Sequence, residues 1–257
     1  MGDYKIERLH KNVLVFTITR EHVFNAVNDR VMDGLKEACD RIKQDRDYSL
    51  LVLTGDGHNA FCSGGDLNEY HTLYTAHQSF QMLQQMAHIL HELATLPVPV
   101  IGLLNGTAVG GGMEIAAACD IRYAHEQGKY GFIQASLAIT TGWGGGTLLL
   151  EKFPSHLALE WLVKGEIRAA ADWKQDGFFN LLFTGNSLDF LEKECHSMLK
   201  NQACVLRSYK QLLLEKINHS TLLDRMLSEA MQCSVLWESK AHHEAVNQFL
   251  QKSRKTK

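Results

Sequence analysis

The stretch "AVGGGMEIAAACD", from Ala108 to Asp120, runs from three consecutive glycines straight into an apolar, helix-forming segment and carries one carboxylate, Glu114. Glycine at a turn lets the backbone approach a ligand closely, and the first N–H groups of the helix that follows have no intrahelical partner. With the helix dipole behind them, such amides suit an anion or a developing oxyanion. Two other stretches repeat the design, "FCSGGDLNEY" (Phe61 to Tyr70) and "TTGWGGGT" (Thr140 to Thr147), each set between an apolar run and a helical one. A phosphate-cradling loop fails on detail: GxxxxGKS/T does not occur, and GxGxxG is absent from the first strand-to-helix turn.

Working outwards, "VLVFTIT" (Val13 to Thr19) reads as a strand. "VNDRVMDGLKEACDRIKQD" reads as an amphipathic helix in which Val31, Leu35, Ala38 and Ile42 recur at helical spacing. "LLVLTG" is a short apolar run ended by glycine, a buried strand, and "VPVIGLLNG" supplies a third strand after a long helix around "SFQMLQQMAHILHELATL". This alternation predicts a layered α/β domain. Beyond Gly185 no strand-like run occurs, and "SLDFLEKECHSMLKNQ", "ACVLRSYKQLLLEKIN" and "TLLDRMLSEAMQCSVLWESKAHHEAVNQFLQKS" predict three C-terminal helices. The division falls into residues 1–186 and 187–257. With three prolines in the chain and no linker, repeat or low-complexity segment, the two parts are expected to pack as one unit.

A formal net charge of −3 argues against a dominant electrostatic attraction to nucleic acid or an anionic membrane. The short basic tail "QKSRKTK" reads as a solvated terminus. Cys39, Cys62, Cys119, Cys195, Cys204 and Cys233 form no CxxC pair, and "MGDYKIERLHKNVLVF" lacks a charged-then-apolar signal design, so a reduced, cytoplasmic protein is expected. No window reaches the roughly 18 uncharged apolar residues of a membrane-spanning helix. The thirteen histidines are dispersed: adjacent His242 and His243 face different ways, and His88 and His91 have no acidic or cysteine company at ligand spacing. No metal is expected.

Taken in order, "NVLVFTITREHVFNAVNDRVMDGL", "AFCSGGDLNEY", "PVPVIGLLNGTAVGGGMEIAAACDIRYA" and "GWGGGT" resemble the crotonase superfamily, the enoyl-CoA hydratase/isomerase enzymes acting on acyl thioesters of coenzyme A. The resemblance covers nearly the whole chain. It implies an α/β fold of crotonase type, a spiral of ββα repeats with a C-terminal helical oligomerisation region, in homotrimers or homohexamers. It also implies an oxyanion hole from the backbone N–H groups of Gly65 and Gly111, with coenzyme A as part of the substrate and no separate cofactor. Cys62, Ser63, Gly64, Asp66 and Leu67 would line the pantetheine and adenine site, although residue type makes Asp66 a helix cap first. Lys252 matches a basic position that reaches a neighbouring subunit's coenzyme A, or is a solvated lysine. The acyl tail would meet the helix in "LNEYHTLYTAHQSFQMLQQMAHIL", through Tyr70, His71, Leu73, Tyr74 and Met82, and residues around Trp143; such spacing equally fits a core.

Hydratases of this superfamily supply two glutamates twenty residues apart. Glu114 falls on the first position, and the second holds Gln134, in a register supported by "CDIRYA" upstream and "GWGGG" downstream. No carboxylate occurs between Glu126 and Glu151, and the Ser136 hydroxyl is too weak an acid for direct acid work. Glutamine does not titrate, though its amide donates and accepts hydrogen bonds. The isomerases of the superfamily keep the second carboxylate and relax the first, the reverse of this chain. Three readings follow. In the first, Glu114 alone runs a hydratase-like or elimination reaction, Gln134 orienting water, with His71 or Tyr74 as a candidate substitute acid. In the second, a malonyl-type CoA thioester is decarboxylated, the leaving carboxylate oriented by Gln134 or Thr140. In the third, acyl-CoA is bound without turnover. Separately from these, a purely structural Glu114 would be a carboxylate stabilised at a helix N-terminus.

Overall fold

The computed structural model describes residues 2–10, 12–217 and 219–255. Strands β1 (Tyr4–Leu9) and β2 (Val13–Ile18) pair antiparallel and lead into α1 (Asp29–Gln44). Next come β3 (Leu50–Gly55), β4 (Ala60–Cys62), α2 (Leu67–Tyr70), α3 (Ala76–Thr95), β5 (Val100–Leu104), β6 (Thr107–Val109), α4 (Gly111–Ala118), β7 (Ile121–His125) and β8 (Lys129–Gly131). They are followed by α5 (Gly145–Lys152), α6 (Ser155–Lys164), β9 (Arg168–Ala169), α7 (Ala170–Gln175) and β10 (Leu181–Phe183). Helices α8 (Ser187–Leu199), α9 (Ala203–Lys216), α10 (His219–Trp237) and α11 (Lys240–Lys255) complete the described chain.

The strands form two sheets, ordered β1-β2-β3-β5-β7-β10 and β4-β6-β8-β9. In the first, β2, β3, β5, β7 and β10 run parallel, and "LLVLTG" is buried at all six positions of β3, as a parallel strand covered on both faces requires. The periodic stripe of α1 goes inward as expected, with Val31, Leu35, Ala38 and Ile42 at 1% exposure or less, and Asn28 caps the helix by accepting from Val31 N at 3.1 Å.

The second sheet positions the site. Its parallel pairing of β4 with β6 lays Ala60–Cys62 beside Thr107–Val109, so the glycine turns that follow the two strands emerge side by side. Gly64, at φ +97, tucks under the second turn, where an added Cβ would sit 3.1 Å from Gly111 N. Only a residue without a side chain holds that conformation at that distance without strain.

Among the described residues the C-terminal region has four helices rather than three. The last expected helix stops at Trp237 and restarts at Lys240, because the Ser239 hydroxyl accepts from His242 N at 3.2 Å and caps a new helix. Leu222, Met226, Ala230, Cys233 and Trp237 of α10 share one apolar core with Met82, Leu83 and Met86 of α3. Helix α9 is fastened by Lys210, whose ammonium lies 2.6 Å from the Asp120 carboxylate and 3.0 Å from Ala94 O, both ion-pair partners being nearly inaccessible. Removing one partner of a buried pair strands the other charge. Lys210→Ala should therefore lower stability by about 3–5 kcal/mol, read as a lower urea midpoint at an unchanged denaturant slope. No helix among the described residues is long and apolar enough to cross a membrane.

Candidate active site

A cavity of about 340 Å³ opens where the two glycine turns meet α3 and α10. Ser63, Gly64, Gly65, Asp66, Leu67 and Tyr70 line it from the first turn, Gly110, Gly111 and Glu114 from the second, and Gln134, Thr140 and Trp143 from the segment ahead of α5. Met82, Leu83, Cys233 and Trp237 form an apolar wall. Gly111 is the first residue of α4, so its N–H has no intrahelical acceptor. The Trp143 indole lies flat on this turn: a Cβ built on Gly111 would fall 2.2 Å from Trp143 Cζ3, and one on Gly65 3.5 Å from Trp143 Cζ2.

Glu114 sits on the first turn of α4, 3% exposed. Its Oε2 accepts from Trp143 N at 2.9 Å and Gly145 N at 3.0 Å, and its Oε1 accepts from Gln134 Nε2 at 2.8 Å. The twenty-residue offset read from the sequence thus brings the two side chains into direct contact. Burial pushes the Glu114 carboxyl up to about 8, and the charge of Glu229 on α10 pushes the same way, against the three donors. Burial outweighs donation and favours the neutral, protonated form. Gln134 Oε1 is buried and has no partner.

Asp66 caps α2 as expected, accepting from Asn68 N at 2.9 Å, while its second oxygen meets Arg20 Nη2 at 2.8 Å. Arg20 also donates to Ala26 O at 2.7 Å, tying the loop before α1 to the first glycine turn. Tyr70 packs its ring against Gly65 and donates its hydroxyl to Asp29 Oδ1 at 3.1 Å.

Other expected site residues lie elsewhere. Cys62 does not line the cavity: it is fully buried behind the turn, where its sulfur accepts from Gly64 N at 3.4 Å, and burial pushes its thiol up to about 12. Neither His71 nor Tyr74 reaches the cavity to act as an acid. The segment read as one helix is two: α2 ends at Tyr70, and Thr75 starts α3 with a capping box to Gln78, so His71 and Tyr74 turn outward and Tyr74 is 59% exposed. Leu73 packs partly buried against the core, and its carbonyl accepts from Trp237 Nε1 at 3.0 Å. Ser136 is exposed and donates to Ile133 O at 2.7 Å. The Lys252 side chain lies outside the described residues.

Glu229 escaped the sequence reading. It accepts from Gly146 N at 3.1 Å and from Thr147 N and Oγ1, each at 2.6 Å, and faces a neighbouring cavity that shares Gln134 and Thr140 with the first. One signal for it existed, since it falls on the apolar stripe of α10 with Leu222, Met226 and Cys233 at helical spacing.

Two glycine turns over a buried carboxyl group are carried on a two-sheet α/β core, and comparison with known proteins places this chain in a family. The chain belongs to the enoyl-CoA hydratase/isomerase family, within the crotonase superfamily, the family model matching residues 8–256. The mitochondrial methylglutaconyl-CoA hydratase of Mus musculus is 28% identical over 181 residues, which are 70% of this chain and 57% of that protein. The ethylmalonyl-CoA decarboxylase of Gallus gallus is 30% identical over 161 residues, 63% of this chain and 54% of that protein. The chain thus spans little more than half the length of these relatives. A solved carnitinyl-CoA hydratase from Mycobacterium avium superposes with a TM-score of 0.85 at 25% identity, covering 98% of this chain and 97% of that one.

Proposed function

We propose that this chain forms and protonates the enolate of an acyl-CoA thioester, and that the reaction is decarboxylation of a malonyl-type thioester. The observation that carries the choice is the set of carboxyl groups lining the cavity, Glu114 and Asp66, of which Asp66 is committed to Arg20 and the α2 cap. One proton-bearing acid remains, next to a neutral amide. Hydration needs a base for water and an acid for the α-carbon; decarboxylation needs only somewhere for charge to go and one proton.

In this mechanism the Gly65 and Gly111 amides donate to the thioester oxygen. The bond from the α-carbon to the carboxylate breaks, its electron pair flows into the thioester to give the enolate, and carbon dioxide leaves. Glu114 then gives its proton to the α-carbon and is recharged from solvent. Gln134 fits both ends of this cycle: a half-turn of its amide lets the unpartnered Oε1 accept the Glu114 O–H and turns the NH2 donors toward the leaving carboxylate. The flat indole of Trp143 and the wall of Met82, Leu83 and Trp237 exclude water, which strengthens these interactions. The name of the Gallus gallus relative supports the reading. Hydration by Glu114 alone, with Gln134 holding the water, is the second reading, favoured by the name of the Mus musculus relative.

Within the same proposal the ββα turns form a spiral, residues 187–257 act as the oligomerisation region of a homotrimer or homohexamer, and Ser63, Gly64 and Leu67 line the coenzyme A path. Six free cysteines, five of them buried, support a reducing compartment such as the cytoplasm. The test is incubation with ethylmalonyl-CoA and crotonyl-CoA in parallel, with products weighed by mass spectrometry. Loss of carbon dioxide from the first, with crotonyl-CoA left intact, is expected. Gain of water by crotonyl-CoA with ethylmalonyl-CoA untouched would replace the reading by the second, and tight binding of both without turnover would mark a binding protein.

A further inference from the structure

The N-terminus of α5 is gripped by two carboxyl groups from distant parts of the chain. Glu114 of α4 takes Trp143 N and Gly145 N, while Glu229 of α10 takes the next two amides, Gly146 N and Thr147 N, together with the Thr147 hydroxyl. The packing is tight at both glycines: a Cβ on Gly145 would fall 2.4 Å from Glu114 Cγ, and one on Gly146 would meet Thr141 Oγ1 at 2.7 Å, with the Glu229 carboxyl carbon at 3.4 Å. Adjacent glycines therefore let two acids close on adjacent amides of one helix end.

That end offers roughly half a positive elementary charge. Two ionised carboxylates would bring two negative ones, and nothing else nearby makes up the difference. Arg225, on the turn of α10 before Glu229, is committed to Glu151 of α5 at 2.8 Å. Arg20 is committed to Asp66 at 2.8 Å. The thiols of Cys233 on α10 and Cys62 on β4 are neutral, both pushed up by burial, and His242 of α11 is turned to Leu137 O at 2.7 Å, burial pulling it down. Helix α3 presents Met82 and Leu83. Among the described residues no lysine or arginine lines the first cavity, whose one histidine, His22, is exposed, and the neighbouring cavity that Glu229 faces has Arg225, held by Glu151, as its one basic side chain.

We propose that Glu229 is a positioning residue for the proton on Glu114. By occupying the inner amides of α5 with its own charge, it leaves the helix end unable to hold a second carboxylate, and Glu114 stays protonated and ready to give that proton to an α-carbon. The second carboxyl group at this helix end then comes not from the position twenty residues after Glu114 but from the C-terminal helical region. Burial pushes the Glu229 carboxyl up as well, but its donors oppose that shift: it accepts two amides and the hydroxyls of Thr147 and Thr141, one donor more than Glu114 has, and this favours the charge on Glu229 over its partner.

The role rests on the reading of Glu114 as a proton donor, but it is measurable without any turnover, so a wrong substrate class and a wrong role for Glu229 give different results. The probe is the protonated-carboxyl stretch in pH-difference infrared spectra of the free protein. In the wild type, two carboxyl groups should deprotonate in separate steps belonging to the pair, the upper near pH 8 and absent from Glu114→Gln. In Glu229→Gln, which keeps the acceptor oxygen but removes the charge, the Glu114 step should move down by about one pH unit or more, while Glu229→Asp should leave it near the wild-type position. Should Glu229→Gln fail to fold, as judged by circular dichroism, the two-step wild-type titration and the aspartate variant still decide. A Glu114 step that stays in place in Glu229→Gln, or a wild type whose carboxyl groups all deprotonate in the ordinary acidic range, would overturn the proposal and leave Glu229 a helix cap.

Discussion

Replacing Glu114 by glutamine is expected to lower turnover of a malonyl-type CoA thioester by about 100- to 10,000-fold, the usual consequence of removing a positioned acid or base. The substitution is nearly isosteric. A glutamine oxygen can still accept from Trp143 N and Gly145 N, so the segment ahead of α5 keeps its place and substrate affinity should change little. What disappears is the proton. The sign of the pH dependence follows from the upward displacement of this carboxyl group by burial: wild-type activity holds while Glu114 is neutral and falls as pH rises through about 8. The residual activity of Glu114→Gln should lose that alkaline limb. A variant that retained both rate and limb would show that the proton comes from another group.

The second large effect is expected at Gly111. A methyl group there would meet the Trp143 ring at 2.2 Å, so either the indole or the first turn of α4 must shift. In the proposed mechanism, Gly111→Ala should displace the amide assigned to the thioester oxygen. Loss of one such donor costs about 2.7–4 kcal/mol of transition-state stabilisation, or about 100- to 1,000-fold in kcat. The enolate forms only as the reaction proceeds, so the loss should appear in kcat more than in KM. Pairing the change with Trp143→Ala, which vacates the space, should restore part of kcat if displacement is the cause. No recovery would mean that the indole itself is required.

The site was legible where its chemistry is local. Three glycines before a helix announce unpaired amides, and the offset from Glu114 to Gln134 foretold a contact that the structure makes at 2.8 Å. Strands β2, β3 and β5 were visible as apolar runs, whereas the short β4, β6, β8 and β9 were not, because two or three residues carry no periodicity of their own. His71 and Tyr74 were misplaced for an equally local reason: the cap at Thr75 was overlooked, and with it the break that turns both side chains away. Cys62 was assigned to the site by its neighbours in sequence, but the strand it ends turns its sulfur inward, beneath Gly64. Glu229 lies furthest from a sequence reading. It reaches the α5 amides across 82 residues, and only its place on an otherwise apolar helical stripe hinted that its charge is used indoors.

The claim at the centre of this account is that Glu114 delivers its proton to one face of an enolate held by the glycine turns. Ethylmalonyl-CoA turned over in deuterium oxide tests it most directly, with the configuration of the deuterium at the α-carbon of the product read by NMR for the wild type and for Glu114→Gln. The wild type should place deuterium on a single face, and the variant, quenched by solvent, should place it on both at a rate reduced by about 100-fold or more. Identical stereochemistry and rate in the two proteins would contradict the account.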